Sequence, residues 1–567
     1  MRILGIGPEL WISSAALLKD GRVVAAAAEE RFDRQKASRK FPHRAIEYCL
    51  SEDKSRFEDV DYVAVGWNPG IHLGTYNYRF SDAARWRAEY LYQIPNNLLR
   101  LSADKRIDYV EQIFKQPKGD IKVMYVTHHL AHAANGFYLS PFRDAAILTV
   151  DGRGEEETGF FGVGKNNKIT QLKTVPFPQS LGLFYSAITQ FLGYEPHSDE
   201  WKVMAIASYG ERNNAEYKNL KKILELKPGG MFETDLSYFD YILYGRPHFY
   251  SDKLIALLGE PRKPDAPITK RHEQIAAALQ QITEETLVHM LKWLAKETKQ
   301  KNLVVSGGVF MNSVFNGKIT ELTPFKNVFI SSCPDDSGIA IGAAAYVHHD
   351  ILGLPRMQPS EHNYWGPEFS EKEIKEAITK YKLKAERIED VEEFAAKLLA
   401  DGKIIGWFQG KMEFGQRALG NRSILADPRR VEMKDLVNRI IKYREGFRPF
   451  APSILEEYVA EYFECEKGAR VPFMERVFRI RPAKQKMIPA VTHVDGSGRL
   501  QTVSRKHNPR YYKLIEEFQK LSGVPIVLNT SFNLKGEPIV CTPTDAIRTF
   551  MSSGLDALVL GNYVLRK

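Results

Sequence analysis

One pattern, met twice, constrains this chain more than any other feature. Residues 1–30 read as a strand (RILGIG), a turn, a second strand (SSAALLKDG) and a third (RVVAAAAEE), with Asp20-Gly21 at a hairpin-type turn. Phe41, Ala45, Ile46 and Cys49 or Leu50 then recur at helical spacing behind a proline. From IKVMYV onward the order returns: a strand, a histidine-rich helix, then AAILTVDGRGEEETGFFGVGKNNKITQL as strand, turn, strand, turn, strand. A hairpin with a helix on it has one sheet face to bury, so two such sets in one chain predict that they fold as paired halves of one α/β domain.

That pairing is the arrangement of the actin and hexokinase-like sugar-kinase folds, with a cleft between the halves. At 567 residues the chain is long enough for a second core. The Pro-rich, polar stretch HDILGLPRMQPSEHNYWGPEFSEKE precedes a Glu/Lys-rich helix. The domains are therefore expected at 1–350 and 371–567, with 351–370 as linker.

Composition narrows the function class. With 44% hydrophobic and 26% charged residues this is an ordinary globular chain. The net charge of +9 is spread along the sequence and mixed with acids, which points to anionic small molecules and away from nucleic acid. No apolar run is long enough for a bilayer, and the N-terminus has no secretory pattern. Cys49, Cys333, Cys465 and Cys541 are too dispersed for a disulfide framework or a thiolate zinc site, so a cytoplasmic protein is expected.

Two groups of residues carry chemistry. In THHLAHAANGFY, His128 and His132 lie one helical turn apart and face one cation, with His129 close by. Asp151 ends the apolar strand AILTV before a Gly turn, and Asp336, or its neighbour Asp335, stands between a strand and a small-residue helix. Two imidazoles and two carboxylates suit a divalent first-row metal, iron or zinc. Gly307-Gly308, between a strand and a helix start, could turn backbone N–H groups to a phosphate; taken alone the pair reads as a tight turn.

The second group lies after the linker. Arg417 and Arg422 stand among glycines in GKMEFGQRALGNRS, and Lys442, Arg444 and Arg448 fall within seven residues. Such a run is commonly a solvated face, but these cations alternate with Phe414, Tyr443, Phe447 and Phe450, as in a shaped pocket where guanidinium groups fork onto phosphate or carbamate oxygens. His493, Arg499, Asn529, Ser531 and Asn533 add donors for a nucleotide or a carbamoyl amide.

These segments resemble the O-carbamoyltransferase family that includes the nodulation-factor, tobramycin, novobiocin and cephem enzymes. EERFDRQKASRKFP, HHLAHA, LTVDGRGE, SGGVFMN, PDDSGIAIGAA, FQGKMEFGQRALGNRSILADPR, KYREGFRPFAP, HVDGSGRLQTV and NTSFNLKGEPIV carry the likeness in order along nearly the whole chain. The resemblance implies an N-terminal duplicated, TsaD-like domain and a C-terminal α+β, YrdC-like domain. It implies that the second joins ATP, with Mg2+, and carbamoyl phosphate into carbamoyl-adenylate, and that the first passes the carbamoyl group to a small-molecule hydroxyl, by default that of a natural product such as an antibiotic precursor. Lys442, Arg417 and Arg448 map onto catalytic positions. Lys36, which contacts the adenylate, and Arg422, Arg444, His493, Arg499, Asn529, Ser531, Gly307 and Gly308 are the expected cofactor-binding residues. His128, His132, Asp151 and Asp336 map onto ligands of Fe2+.

The family's His-Asp pair, implicated in acceptor binding or proton transfer, is replaced here by Trp11-Ile12. The alternative reading is thus a nucleotide- and metal-binding protein with lost or altered acceptor chemistry. The identity of the acceptor and the oligomeric state, a homodimer among the options, are not written in the sequence.

Overall fold

The computed structural model describes residues 1–8, 12–72, 94, 97–98, 121–242, 246–466 and 468–567. They form two compact units. The first comprises Met1–Glu29, Ser38–Met311 and Lys318–Ser360; the second comprises Glu30–Ala37, Asn312–Gly317 and Glu361–Lys567.

In the first unit, β1 (Arg2–Gly7), β2 (Ser14–Lys19), β3 (Arg22–Ala28), β4 (Tyr62–Val65) and β5 (Lys122–Tyr125) form a sheet in the order β3-β2-β1-β4-β5. The two hairpins are antiparallel and the β1–β4 and β4–β5 pairs parallel. Asp20 and Gly21 both have positive φ, 49° and 73°, the twist that a two-residue hairpin turn needs. A second sheet repeats this plan with β6 (Asp144–Val150), β7 (Glu157–Lys165), β8 (Lys168–Pro176), and, after the small hairpin of β9 (Leu224–Lys227) and β10 (Met231–Thr234), β11 (Asn302–Ser306) and β12 (Asn327–Ile330). Its order, β12-β11-β6-β7-β8, is the first sheet's order read from the other edge, with the same parallel and antiparallel pairs. The duplicated α/β frame expected from the sequence is present.

Small residues let this unit close up. A Cβ on Gly342 would lie 1.9 Å from the Ala131 carbonyl oxygen, and one on Gly5 would lie 1.8 Å from that of Ala340. The helix Ile339–Tyr346 therefore packs backbone to backbone against β1 and against the helix His128–Leu139.

The second unit is built on a mixed sheet. Its strands are β13 (Glu386–Arg387), β14 (Ile405–Phe408), β15 (Arg422–Ala426), β16 (Ala451–Leu455), β17 (Arg476–Arg479), β18 (Ser497–Val503), β19 (Ile526–Ser531), β20 (Ala557–Leu560) and β21 (Tyr563–Arg566). They lie in the order β13-β21-β20-β14-β15-β19-β16-β18-β17. Alternate side chains feed two cores, as a sheet buried on both faces requires. Ile424, Leu528 and Leu558 pack with Ile547 and Phe550, whereas Leu425, Val527 and Val559 pack with Ala395, Leu399, Ile515 and Phe518. Among the described residues no helix is long and apolar enough to cross a membrane.

Candidate functional site

In the first unit, the helix His128–Leu139 starts at the end of the short loop after β5 and is buried along almost its whole length. Its first turn is fixed by Glu155, whose carboxylate accepts the His128 N–H (3.0 Å) and that of Asn68 (2.7 Å). Burial raises the Glu155 carboxyl to about 7. One turn apart, the two imidazoles meet: His128 Nε2 and His132 Nε2 are 3.1 Å apart. Asp151, just beyond β6, places Oδ2 2.8 Å from His132 Nε2 and 3.6 Å from His128 Nε2. Asp336 Oδ1 lies 3.6 Å and 3.5 Å from the same two nitrogens. All four residues are buried.

The four donor atoms lie within 4.8 Å of one another. Ligands at about 2.1 Å from one tetrahedral ion are about 3.4 Å apart, so the spacing and the N2O2 donor set fit a single divalent first-row ion. The second oxygen of Asp336 is buried without a hydrogen-bond partner, a spare acceptor at the same place. Burial opposes a charged His132, but hydrogen bonds to Asp151 and Asp336 prevail and raise it to about 9. Burial likewise opposes ionised Asp151, and the two histidines overcome it, holding the carboxyl well below the usual range. Asp335 accepts the Ser337 hydroxyl, 2.5 Å away, and is not in the cluster. His129 pairs with Thr149 (2.6 Å).

Gly307 and Gly308 contribute differently from expectation. The Gly307 N–H donates to the Pro334 carbonyl (2.7 Å) and that of Gly308 to Asp151 Oδ2 (3.0 Å). Gly307 has φ +95°, and a Cβ there would meet the Val150 carbonyl oxygen at 2.3 Å. Both amides are committed inside the protein, and that of Gly308 tethers Asp151 where a phosphate cradle was expected. Trp11 lies outside the described residues; its neighbour Ile12 is buried.

In the second unit Lys442 is fully enclosed. Its Nζ donates to the Ser531 carbonyl, to Ser531 Oγ (3.3 Å), to the Asn533 carbonyl (3.1 Å) and to Asn533 Oδ1 (2.8 Å). All are neutral oxygens. Burial, then the charges of Arg444 and Arg448, push its pKa well below the usual lysine range. Arg499, on β18, is opposed in the same way by burial, Arg417 and Arg444. Arg444 lies over the Phe450 ring (4.7 Å) and donates from Nε to Asn438 Oδ1 (2.6 Å). Arg448 faces Glu445 at 3.3 Å. For Lys442 and Arg499 the charges that act are all cations, so Arg417, Lys442, Arg444, Arg448 and Arg499 form one electropositive cluster. His493 is pushed down to about 4 by burial, with Asp495 opposing and Arg499 and Lys434 adding to the shift. Its Nε2, Arg499 Nε and Asn529 Oδ1 are buried polar atoms without partners.

Two expected binders are turned inward. Arg422 stacks 3.7 Å over Phe408, and its guanidinium donates to the carbonyls of Gln409 (2.7 Å), Gly410 (3.1 Å), Asn421 (3.0 Å), Pro367 (2.9 Å) and Cys541 (3.4 Å). This geometry gives Arg422 to the loop fold, since an arginine ringed by carbonyls has no fork to offer a ligand. Asn529 Nδ2 ties the Ala418 carbonyl (3.2 Å) to Ser453 and Gln501. Lys36 is exposed, in the stretch Glu30–Ala37 that packs with this unit.

Sequence reasoning missed Glu413, which accepts the N–H groups of Leu419 (2.6 Å), Asn421 (2.8 Å) and Arg422 (3.4 Å). It also missed Arg31, which is bonded to the Gly415 carbonyl. A carboxylate inside a Gly-rich loop was the available signal for the first; the second depends on a contact 384 residues away in sequence.

One unit of this α/β chain thus carries a buried N2O2 donor set and the other a cluster of cations around the buried Lys442. Residues 2–345 match the family model for the carbamoyltransferase N-terminus and residues 396–567 that for the carbamoyltransferase C-terminus, and the chain belongs to this carbamoyltransferase family. It is 37% identical over 562 residues to nodulation protein NolNO of Sinorhizobium fredii, covering 98% of this chain and 78% of that one. Nodulation protein NolO of Bradyrhizobium diazoefficiens is 40% identical over 452 residues, 78% of this chain and 79% of its own. The 3'-hydroxymethylcephem-O-carbamoyltransferase of Amycolatopsis lactamdurans is 29% identical over 453 residues, 78% of this chain and 80% of its own.

Proposed function

We propose that this carbamoyltransferase is ATP-dependent and acts on oxygen: it forms carbamoyl-adenylate from ATP and carbamoyl phosphate at the cationic cluster and transfers the carbamoyl group to a hydroxyl of a small molecule. The observation that carries this reading is the cationic set of buried Lys442 and Arg448 with the half-buried Arg417, Arg444 and Arg499. Desolvated cations that repel one another are costly unless an anion joins them. A polyphosphate brings several negative oxygens, and Arg forks match phosphate geometry.

The chemistry divides accordingly. Carbamoyl phosphate has an electrophilic carbon, so water first opens its C–O bond to give carbamate and phosphate. A carbamate oxygen then attacks the α-phosphorus of ATP, the bond to the bridging oxygen breaks and pyrophosphate leaves. Guanidinium and ammonium groups already in place stabilise the charge that develops on the phosphoryl oxygens and the leaving group without reorganising, with Mg2+ accompanying the nucleotide. In the second reaction the acceptor oxygen attacks the carbamoyl carbon, its proton is lost and AMP departs. The relative acting on a hydroxymethylcephem supports an alcohol as acceptor.

His128, His132, Asp151 and Asp336 would hold a divalent ion such as Fe2+, which when bound supplies Lewis acidity for the transfer. The protein's own part there is positional. Gly152 and Gly308 N–H groups orient Asp151, at 2.6 Å and 3.0 Å, and Glu155 fixes the start of the histidine helix.

The test is pyrophosphate release by the purified protein with ATP, Mg2+ and a replete divalent-metal supply, with and without carbamoyl phosphate. Release should require carbamoyl phosphate and fall by about 100-fold or more in Lys442→Ala and in Arg417→Ala, the scale of losing one oxyanion contact. A wild-type protein that releases no pyrophosphate under these conditions would sink the adenylation step.

A further inference from the structure

Within the second compact unit, the stretch Glu30–Ala37 is fastened to the loop that carries Arg417. Arg31 is 5% exposed, and its NH2 donates to the Gly415 carbonyl at 2.9 Å. Its NH1 pairs with Glu30 Oε1 at 2.8 Å, while Glu30 Oε2 accepts the Ala37 N–H at 2.7 Å. Phe32 packs against Met412, Ala418, Ile539 and Cys541. Arg34 donates to the carbonyls of Ile539 (2.7 Å) and Pro538 (2.9 Å). The turn so formed holds two non-glycine residues in the left-handed region, Arg34 at φ +60° and Ala37 at φ +53°, with Lys36 between them. Such backbone persists only where its surroundings over-determine it.

The loop is secured from its other side as well. Glu413 holds the N–H groups of Leu419, Asn421 and Arg422, and Asn529 holds the Ala418 carbonyl. Gly415 has φ +125°, a conformation open to glycine and strained for other residues. With no side chain at 415, the backbone carbonyl is the handle by which this end of the loop is fixed. Take away its buried donor and the glycine is free to rotate two residues before Arg417. A buried ion pair is weak evidence for stability, because apolar residues of the same volume often do as well. The Glu30–Arg31 pair has a second use available: it orients one N–H of the guanidinium.

We propose that Arg31 is a positioning residue for the adenylation site: through the Gly415 carbonyl it sets where Arg417 presents its guanidinium, and through Glu30 it sets the turn bearing Lys36. The inference rests on the proposed reading of the cationic cluster as the ATP site. It makes the stretch directly after the first unit's opening hairpin part of the adenylating machinery, although that stretch lies nearly 400 residues from the loop it organises.

The experiment is a double-mutant cycle on the full-length protein, read as carbamoyl-phosphate-dependent pyrophosphate release. Arg31→Ala should lower kcat by about 10- to 100-fold, the effect of misplacing a catalytic group, and Arg417→Lys should leave a slow but measurable rate. If Arg31 acts through Arg417, the double variant should be within about threefold of Arg417→Lys alone, as coupled positions are non-additive. Two separate losses that multiply, or an Arg31→Ala rate equal to wild type, would overturn the proposal, since a residue that only steadies the fold loses its effect independently of Arg417. Should Arg31→Ala not fold, Arg31→Lys keeps a single donor without the fork and enters the same cycle under the same two criteria. A wild-type protein inactive in this assay counts against the ATP-site reading, whereas an active wild type with an additive cycle counts against Arg31 alone.

Discussion

Lys442 shows how far one side chain here departs from its behaviour in water. Its ammonium has exchanged solvent for four neutral oxygens and the company of Arg444 and Arg448, so burial first and those charges second lower its pKa well below 10.5. Between that lowered value and 10.5 the unfolded chain binds more protons than the folded one, and stability therefore rises with pH across the window. Below the folded value both states are protonated and the penalty is at its full size. A polyphosphate reverses the balance by favouring the ammonium form. ATP binding inside the window should accordingly take up a proton and weaken as pH rises. Titration calorimetry in buffers of different ionisation enthalpy measures this directly, and Lys442→Met should abolish the uptake. Binding with no proton uptake in the wild type would mean that the lysine is already charged. Lys442, Ser531 and Asn533 were each singled out in the sequence as polar residues of one group, and the structure brings them into hydrogen-bond contact. Arg422 was not read correctly, because an arginine among glycines looks the same whether its fork meets a ligand or five carbonyls.

At the scale of elements, the geometry of the four-donor cluster depends on how closely two helices approach. His128 and His132 ride on the helix His128–Leu139, and Asp336 leads into Ile339–Tyr346. Gly342 lies where a Cβ would come within 1.9 Å of the Ala131 carbonyl oxygen, backbone that cannot swing aside. Gly342→Ala should therefore part the helices at a cost of about 1–3 kcal/mol, the range for overpacking. It should also lower the content of Fe2+ or Zn2+ retained after reconstitution and desalting, measured by mass spectrometry. Unchanged stability and metal content would show that the donors are not set by this contact. The pieces of the centre were readable from local pattern: histidines one turn apart, an aspartate at a strand end, another between strand and helix. The duplicated hairpins were readable for the same reason, since period-two alternation and an Asp-Gly turn are local signals. The β9–β10 hairpin and the inward use of the Gly307 and Gly308 amides were not, because each is decided by partners that the neighbouring residues do not specify.

For the molecule as a whole, the chain's path matters more than a single linker. It passes from the first unit to the second at residue 30, returns at 38, passes over again at 312, returns at 318 and enters the second unit finally at 361. The short visits are well anchored. Beyond the contacts of Arg31, Phe32 and Arg34, Asn316 Nδ2 donates to the Glu475 carbonyl (3.0 Å), and a Cβ on Gly317 would lie 1.9 Å from the Val477 carbonyl oxygen. A fragment of residues 361–567 keeps its sheet and both of its cores but loses the buried face of Phe32 and the donors from Arg31, Arg34 and Asn316. Burying one large apolar side chain is worth about 1.5–3 kcal/mol, and a buried carbonyl left without its donor costs about 1–3 kcal/mol. The fragment should thus fold with a lower urea midpoint than the same unit within the full chain, and its pyrophosphate release should fall at least as far as that of Arg31→Ala. Hydrogen exchange should show the Gly415–Ala418 loop losing protection before the central strands β14, β15 and β19 do, since the loop loses Arg31 and Phe32 while those strands keep their ladder partners. A fragment as stable and as active as the full chain would show that the two visiting stretches are passengers on a self-sufficient unit.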